Sequence, residues 1–131
     1  MSDRLAAVRA LQLHRDLGVT GIEAADGAAT LCFTVNPYAV NPAGALHGGV
    51  LYTLCDVAAY SALLSQLPMD REAVTHDLHV SVMRAASEGE KVAIEAHVRR
   101  LGRSIAFIDV EARAGERLLA TARVTKSLVN C

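Results

Sequence analysis

The sequence contains no apolar run approaching the roughly 20 residues that a membrane-spanning helix needs, so no transmembrane segment is expected. Residues 1–18 carry charges throughout instead of the apolar centre of a secretory signal, and the expectation is a soluble, cytoplasmic protein. Cysteine is scarce: Cys32, Cys55 and Cys131 form an odd, widely spaced set without a CxxC pair, which argues against a disulfide framework and a zinc cage alike. Neither sign of charge is in excess, the formal net charge being -1. No overall field therefore favours nucleic acid or an anionic membrane, and any anion site must come from a local cluster. Internal repeats and low-complexity segments are also lacking.

What the chain does have is apolar material, 52% of 131 residues, enough to bury a substantial core within one domain spanning residues 1–131. Leu5, Val8, Leu11 and Arg15 recur at helical spacing and Gly18 offers a stop, so residues 1–18 read as a short amphipathic helix. Residues 19–25 and 28–35 flank Asp26-Gly27, a hairpin signature. Asn36-Pro37, Asn41-Pro42 and Gly44 then break regular structure across residues 36–46. Residues 48–66 are free of proline, rich in Ala and Leu, and apolar on nearly every face, which predicts a helix surrounded by protein. Pro68 ends it. Four β-type runs follow, at 74–83, 91–101, 104–113 and 117–128, punctuated by Gly89, Gly102 and Gly115. Consecutive strands with short connections predict an antiparallel meander curled around the helix, an α+β architecture. Apolar residues on both faces of the later strands predict that the outer face is covered too, as in an oligomer.

The segment most informative about chemistry is Asn41-Pro-Ala-Gly-Ala-Leu-His47-Gly48-Gly49, followed by Asp56. Two glycines at a helix start present backbone N–H groups at the positive end of the dipole with no side chain in the way, which suits a developing oxyanion. Taken alone, the same pair also fits a tight turn without function. Asp56 adds weight, because a lone carboxylate in an apolar helix is expensive to bury without partners. It fits either a base or nucleophile facing a cleft, or a carboxylate satisfied by hydroxyls such as Thr53, Tyr60 or a strand residue. Cys55 beside it reads as a packing thiol. Eight residues separate Gly48 from Asp56, about 12 Å along a helix, too far for both to serve one reaction centre. One chain therefore cannot assemble the site, whereas a twofold dimer with antiparallel central helices can.

Asn41, Gly44, His47-Gly48-Gly49 and Asp56 at this spacing, with residues 101–107 and 120–126 as later strands, resemble the PaaI-like acyl-CoA thioesterases of the hotdog superfamily over residues 20–128. The resemblance implies a hotdog fold, an antiparallel sheet wrapped around a long central helix. It implies hydrolysis of an aromatic or medium-chain acyl-CoA without a cofactor, in a homo-oligomer whose dimers pair into a tetramer. By the same resemblance Asp56 is general base or nucleophile, the Gly48 N–H polarises the thioester carbonyl, and Asn41 and His47 order the loop and the attacking water. A structural hydrogen bond to the loop is the other reading of His47, and a plain surface strand residue the other reading of Thr75, which falls where relatives carry a water-positioning Ser or Thr.

Gly49 and Tyr60 are further substrate-binding candidates, Tyr60 as a bulky residue that shortens the pocket, with Leu51, Leu54 and Leu63 as apolar lining. Coenzyme A carries phosphates, and Arg84, Arg100 and Arg103, with Arg99, are the candidate cations, though arginines at hairpin ends also serve solubility alone. His76 and His79, three apart on a strand, are expected on opposite faces, so no metal site is expected. Two other functions compete: a non-catalytic acyl-CoA binding or sensing protein, for which Asp56 has no use, and a hotdog hydratase, which the Gly-Gly context of His47 fits less well.

Overall fold

The chain is described over residues 2–131 by a computed structural model. The N-terminal segment is not one helix but two, α1 (Ser2–Ala10) and α2 (Gln12–Asp16), because Leu11 takes an extended conformation and restarts the helix as its N-cap. That break brings His14 and Leu17 inward alongside Leu5 and Val8 while leaving Leu11 and Leu13 exposed. Gly18, at positive φ, turns the chain into β1 (Val19–Ala25). Any side chain there would collide with the Thr34 carbonyl. The Asp26-Gly27 turn joins β1 to β2 (Ala28–Thr34) with φ of 53° and 80°, the doubly positive conformation of a tight hairpin.

The central helix α3 spans Gly48–Leu64, and β3 (Arg71–Val82), β4 (Lys91–Leu101), β5 (Ile105–Ala114) and β6 (Arg117–Asn130) follow it. All six strands form one antiparallel sheet in the order β1-β2-β4-β5-β6-β3. This departs from a simple meander. Residues 83–90 carry the chain from β3 at one edge across to β4 beside β2, and they are stitched to the loop before α3: Leu46 N–H donates to Ala86 O, and Val35 N–H to Glu90 O. The crossing lets the sheet close over α3, whose Leu51, Leu54, Cys55, Ala58, Ala62 and Leu63 pack into the core with Leu31, Ile94 and Ile108.

Within one chain the helix is not fully surrounded. Tyr52 is 42% exposed, and Thr53, Asp56, Val57 and Tyr60 are half-buried, forming one incompletely covered stripe at helical spacing. The outer face of the sheet also differs from expectation. Its centre is polar, with Asp109 held between Arg99 and Arg123 and with Arg113 paired to Glu111. Exposed apolar residues there are confined to one end, around Val74, Ile105 and Val129.

Candidate active site

The start of α3 is built by His47. Its extended backbone makes it the N-cap, its ring Nδ1 accepts the Gly49 N–H at 3.0 Å, and its carbonyl accepts the N–H groups of Val50 and Leu51. Because Nδ1 accepts, the proton of a neutral ring resides on Nε2. The structural reading of His47 is therefore met, and the Gly49 amide, a predicted substrate contact, is already engaged. The Gly48 N–H is left without an acceptor among the described residues, at the positive end of a 17-residue helix. Asn41 shapes the preceding loop: its Oδ1 accepts from Ala43 N–H at 2.9 Å and from Ala45 N–H at 3.1 Å, which fixes the amide orientation and frees Nδ2. Asn41, Gly48 and Arg84 line one concavity of about 350 Å³ together with Tyr52, Val82 and Met83.

Asp56 lies two turns further along α3 and opens into a different concavity, of about 510 Å³. Its side chain is 33% exposed and its Oδ1 accepts two hydrogen bonds, from the Thr75 hydroxyl at 2.8 Å and from the Lys126 ammonium at 2.8 Å. Thr75 in turn accepts from Lys126 at 2.9 Å. Of the hydroxyls considered from the sequence, Thr53 goes to the Gly49 carbonyl and Tyr60 to Glu72, while a strand residue, Thr75, is the one that reaches Asp56. Tyr60 stands in the cavity wall, its phenol pushed above its usual range by burial and by the Glu72 carboxylate it bonds. Cys55 is buried, and burial followed by the neighbouring Asp56 charge pushes its thiol up to about 12, which leaves it inert.

The rest of this cavity comes from the N-terminal helices, a contribution not anticipated from their sequence. Ala7, Val8, Leu11 and His14 face Val57 and Tyr60 across it. Leu51, Leu54 and Leu63, the predicted apolar lining, are core residues instead, and of these Leu51 alone borders a concavity, that of Gly48. Arg100 and Arg103 are exposed near the β4–β5 turn and line neither concavity. Arg99 is paired with Asp109 on the outer face.

His76 and His79 share that outer face, contrary to their spacing. A bulge between Thr75 and Asp77 inserts one residue into the β3–β6 ladder and restores the phase, so His76 bonds Ser127 Oγ while His79 lies opposite Arg123. Among the described residues no group of three or more His, Cys, Asp or Glu side chains has the arrangement of a metal site.

Lys126 is the site residue that the sequence reading missed. The signal was present: Ala122, Val124, Lys126 and Leu128 occupy the inward phase of β6, and a lone lysine in that series breaks the pattern.

Comparison with known proteins adds the following. The family described as the thioesterase superfamily matches residues 43–121. Human acyl-coenzyme A thioesterase 13 is 34% identical over 128 residues, 95% of this chain and 91% of that protein. A putative esterase of Deinococcus radiodurans is 37% identical over 100 residues, 76% of this chain and 66% of its own length. The solved structure of a mutant of the phenylacetic acid degradation protein PaaI from Thermus thermophilus superposes with a TM-score of 0.80 at 27% identity, covering 88% of this chain and 96% of that one.

Proposed function

This chain belongs to the thioesterase superfamily and has its hotdog fold, and on that basis we propose that it hydrolyses an acyl-CoA to the free acid and CoA in a site shared by two subunits. One observation carries the shared site: Gly48 and Asp56 open into separate concavities of the same chain, joined by β3. The first half of β3 holds Thr75 beside Asp56, and its end leads into Val82, Met83 and Arg84 beside Gly48. β3 is an edge strand of twelve residues with β6 as its one neighbour, an unsatisfied edge that favours pairing. A twofold axis across the middle of β3 sets the first half of one strand against the second half of its mate's. Each Asp56 then meets the partner's Gly48, giving two equivalent sites per dimer, and the incompletely covered stripe of α3 is buried.

In such a site the Gly48 N–H and the dipole of α3 hold the thioester oxygen as it gains charge. Asp56 either takes a proton from the attacking water or attacks the carbonyl carbon itself, forming an anhydride that water then opens. In both routes the carbon–sulfur bond breaks and the sulfur leaves with the electron pair and acquires a proton as CoA; the water oxygen ends on the acid in the first route, and on the acid or on Asp56 in the second according to which anhydride carbonyl water attacks. Asn41 Nδ2 and His47 Nε2–H remain as donors at the loop for ordering water. The apolar wall of Ala7, Val8, Leu11, Val57 and Tyr60 suits an aromatic or medium-chain acyl group. Arg84, beside Gly48, is the arginine best placed for a CoA phosphate.

An acyl-CoA panel assayed for thiol release, with Asp56→Asn alongside, tests this. The wild-type protein is expected to release CoA from at least one aromatic or medium-chain member and the variant to lose that activity by about 1,000-fold. No release from any member, or full activity in the variant, defeats the proposal.

A further inference from the structure

Lys126 is the most deeply buried cation of the chain that the mechanism above leaves unused: its side chain is 3% exposed. An inward position on β6, between Val124 and Leu128, is one that an apolar residue fills at no electrostatic cost, whereas an ammonium there must be repaid by its partners. The partners are specific. The ammonium donates to Asp56 Oδ1 and to Thr75 Oγ1, and it lies 5.4 Å from the centre of the Tyr60 ring. Thr75 donates to the same Asp56 oxygen, so residues of α3, β3 and β6 close a triangle on Oδ1. Among the described residues nothing donates to Oδ2.

We infer that Lys126 is the positioning residue of the active site: it fixes the rotation of the Asp56 carboxylate, so that Oδ1 is tied to the protein and Oδ2 alone is presented to the thioester or the attacking water. The inference rests on the catalytic reading of Asp56. Lys126 borders the cavity with only 3% of its side chain exposed and its ammonium turned onto Asp56 and Thr75, and it acts through the carboxylate. A freely rotating carboxylate divides its time among orientations, and a buried ammonium at hydrogen-bond distance from one oxygen removes that loss. The other charged or titratable groups facing this cavity are Arg4, His14, Glu72 and Tyr60, with Cys55 buried next to Asp56. Arg4 is already paired with Glu72 at 3.0 Å, and Tyr60 also bonds Glu72, so Lys126 is the cation that acts on Asp56 directly.

The test compares wild type, Lys126→Met and Asp56→Asn on the best acyl-CoA of the panel. Lys126→Met is expected to lower kcat by about 100-fold with KM within about threefold. Lys126→Arg, which keeps a cationic donor, is expected to recover part of that kcat, a rescue that a merely structural loss does not produce. If Asp56→Asn is inactive while Lys126→Met matches wild type in kcat and KM, this inference is wrong and the catalytic reading survives. If Asp56→Asn is active, the catalytic reading itself has failed. Should Lys126→Met not fold, nitrogen-15 NMR of lysine ammonium groups decides. The chain has two lysines, Lys91 on the surface and Lys126. Wild type is expected to show one solvent-protected ammonium signal that moves or vanishes in Asp56→Asn. A wild-type spectrum without a protected signal, or one that Asp56→Asn leaves unchanged, overturns the inference.

Discussion

At the first turn of α3, His47 satisfies three amides, two with its carbonyl and one with its ring, and so determines which N–H is left for a ligand. A methyl group on Gly49 would lie 3.1 Å from that ring nitrogen, which explains the second glycine without invoking chemistry. His47→Ala is expected to cost about 1 kcal/mol of stability through the lost cap, a fall of about 3 to 5 °C in Tm. His47→Asn, which supplies a capping oxygen, is expected to recover most of it. Comparing activity across the pair separates the cap from any role of Nε2–H: activity that returns with Tm assigns His47 to structure, and activity that stays low assigns it to the reaction. An unchanged Tm in His47→Ala contradicts the cap. At this scale Asp56 and the glycines were legible because each violates a local expectation. Lys126 was equally anomalous, but its significance depends on a partner 70 residues away.

Among the elements, α1 is tied to the start of β3 beside the Asp56 cavity by Arg4, and to β1 by Arg9. Arg4 donates to the carbonyls of Pro68 and Arg71 and to Glu72, and Glu72 also accepts from Tyr60 and from Ala73 N–H. Burial raises the Glu72 carboxyl, but those donors and the Arg4 charge outweigh it and hold it below its ordinary value of 4.5. A carboxyl depressed by folding adds stability that is complete above its unfolded value and is lost as pH falls through the folded one. Tm is therefore expected to drop as pH falls below about 4.5, with the α1 amides exchanging early, and Glu72→Gln is expected to flatten that part of the curve. Identical pH dependence in the two proteins excludes Glu72 as the fastening. The Asp-Gly turn and most strand limits were readable from the sequence because backbone preference and period-two alternation are local. The break at Leu11 was not, since the preceding pattern continues through it and the gain lies in turning His14 and Leu17 toward the core.

At the level of the molecule, the two-subunit site makes a prediction that no single-chain arrangement shares. Gly48→Pro removes the N–H while keeping a residue suited to the first helical position, after a His47 already in extended conformation. Gly48→Pro and Asp56→Asn are each expected to be inactive alone. Dimers of one with the other retain one intact site of two, so random mixing is expected to restore about a quarter of wild-type activity. Refolding the two variants together and assaying the mixture measures this, and a mixture as inactive as its components argues that Gly48 and Asp56 do not meet across a twofold axis.

The sequence by itself determined the central helix, the hairpin, the number of strands and the motif at the start of α3, because each is written in the spacing of near neighbours. Tertiary structure alone decided that β3 pairs with β6 at the sheet edge, that a bulge turns His76 and His79 to one face, and that Lys126 reaches Asp56. The physical reason is range. Turn preference and alternation act over a few residues, whereas strand order and a buried ion pair are selected by the packing of segments far apart in the chain, which leaves no periodic trace in any one of them.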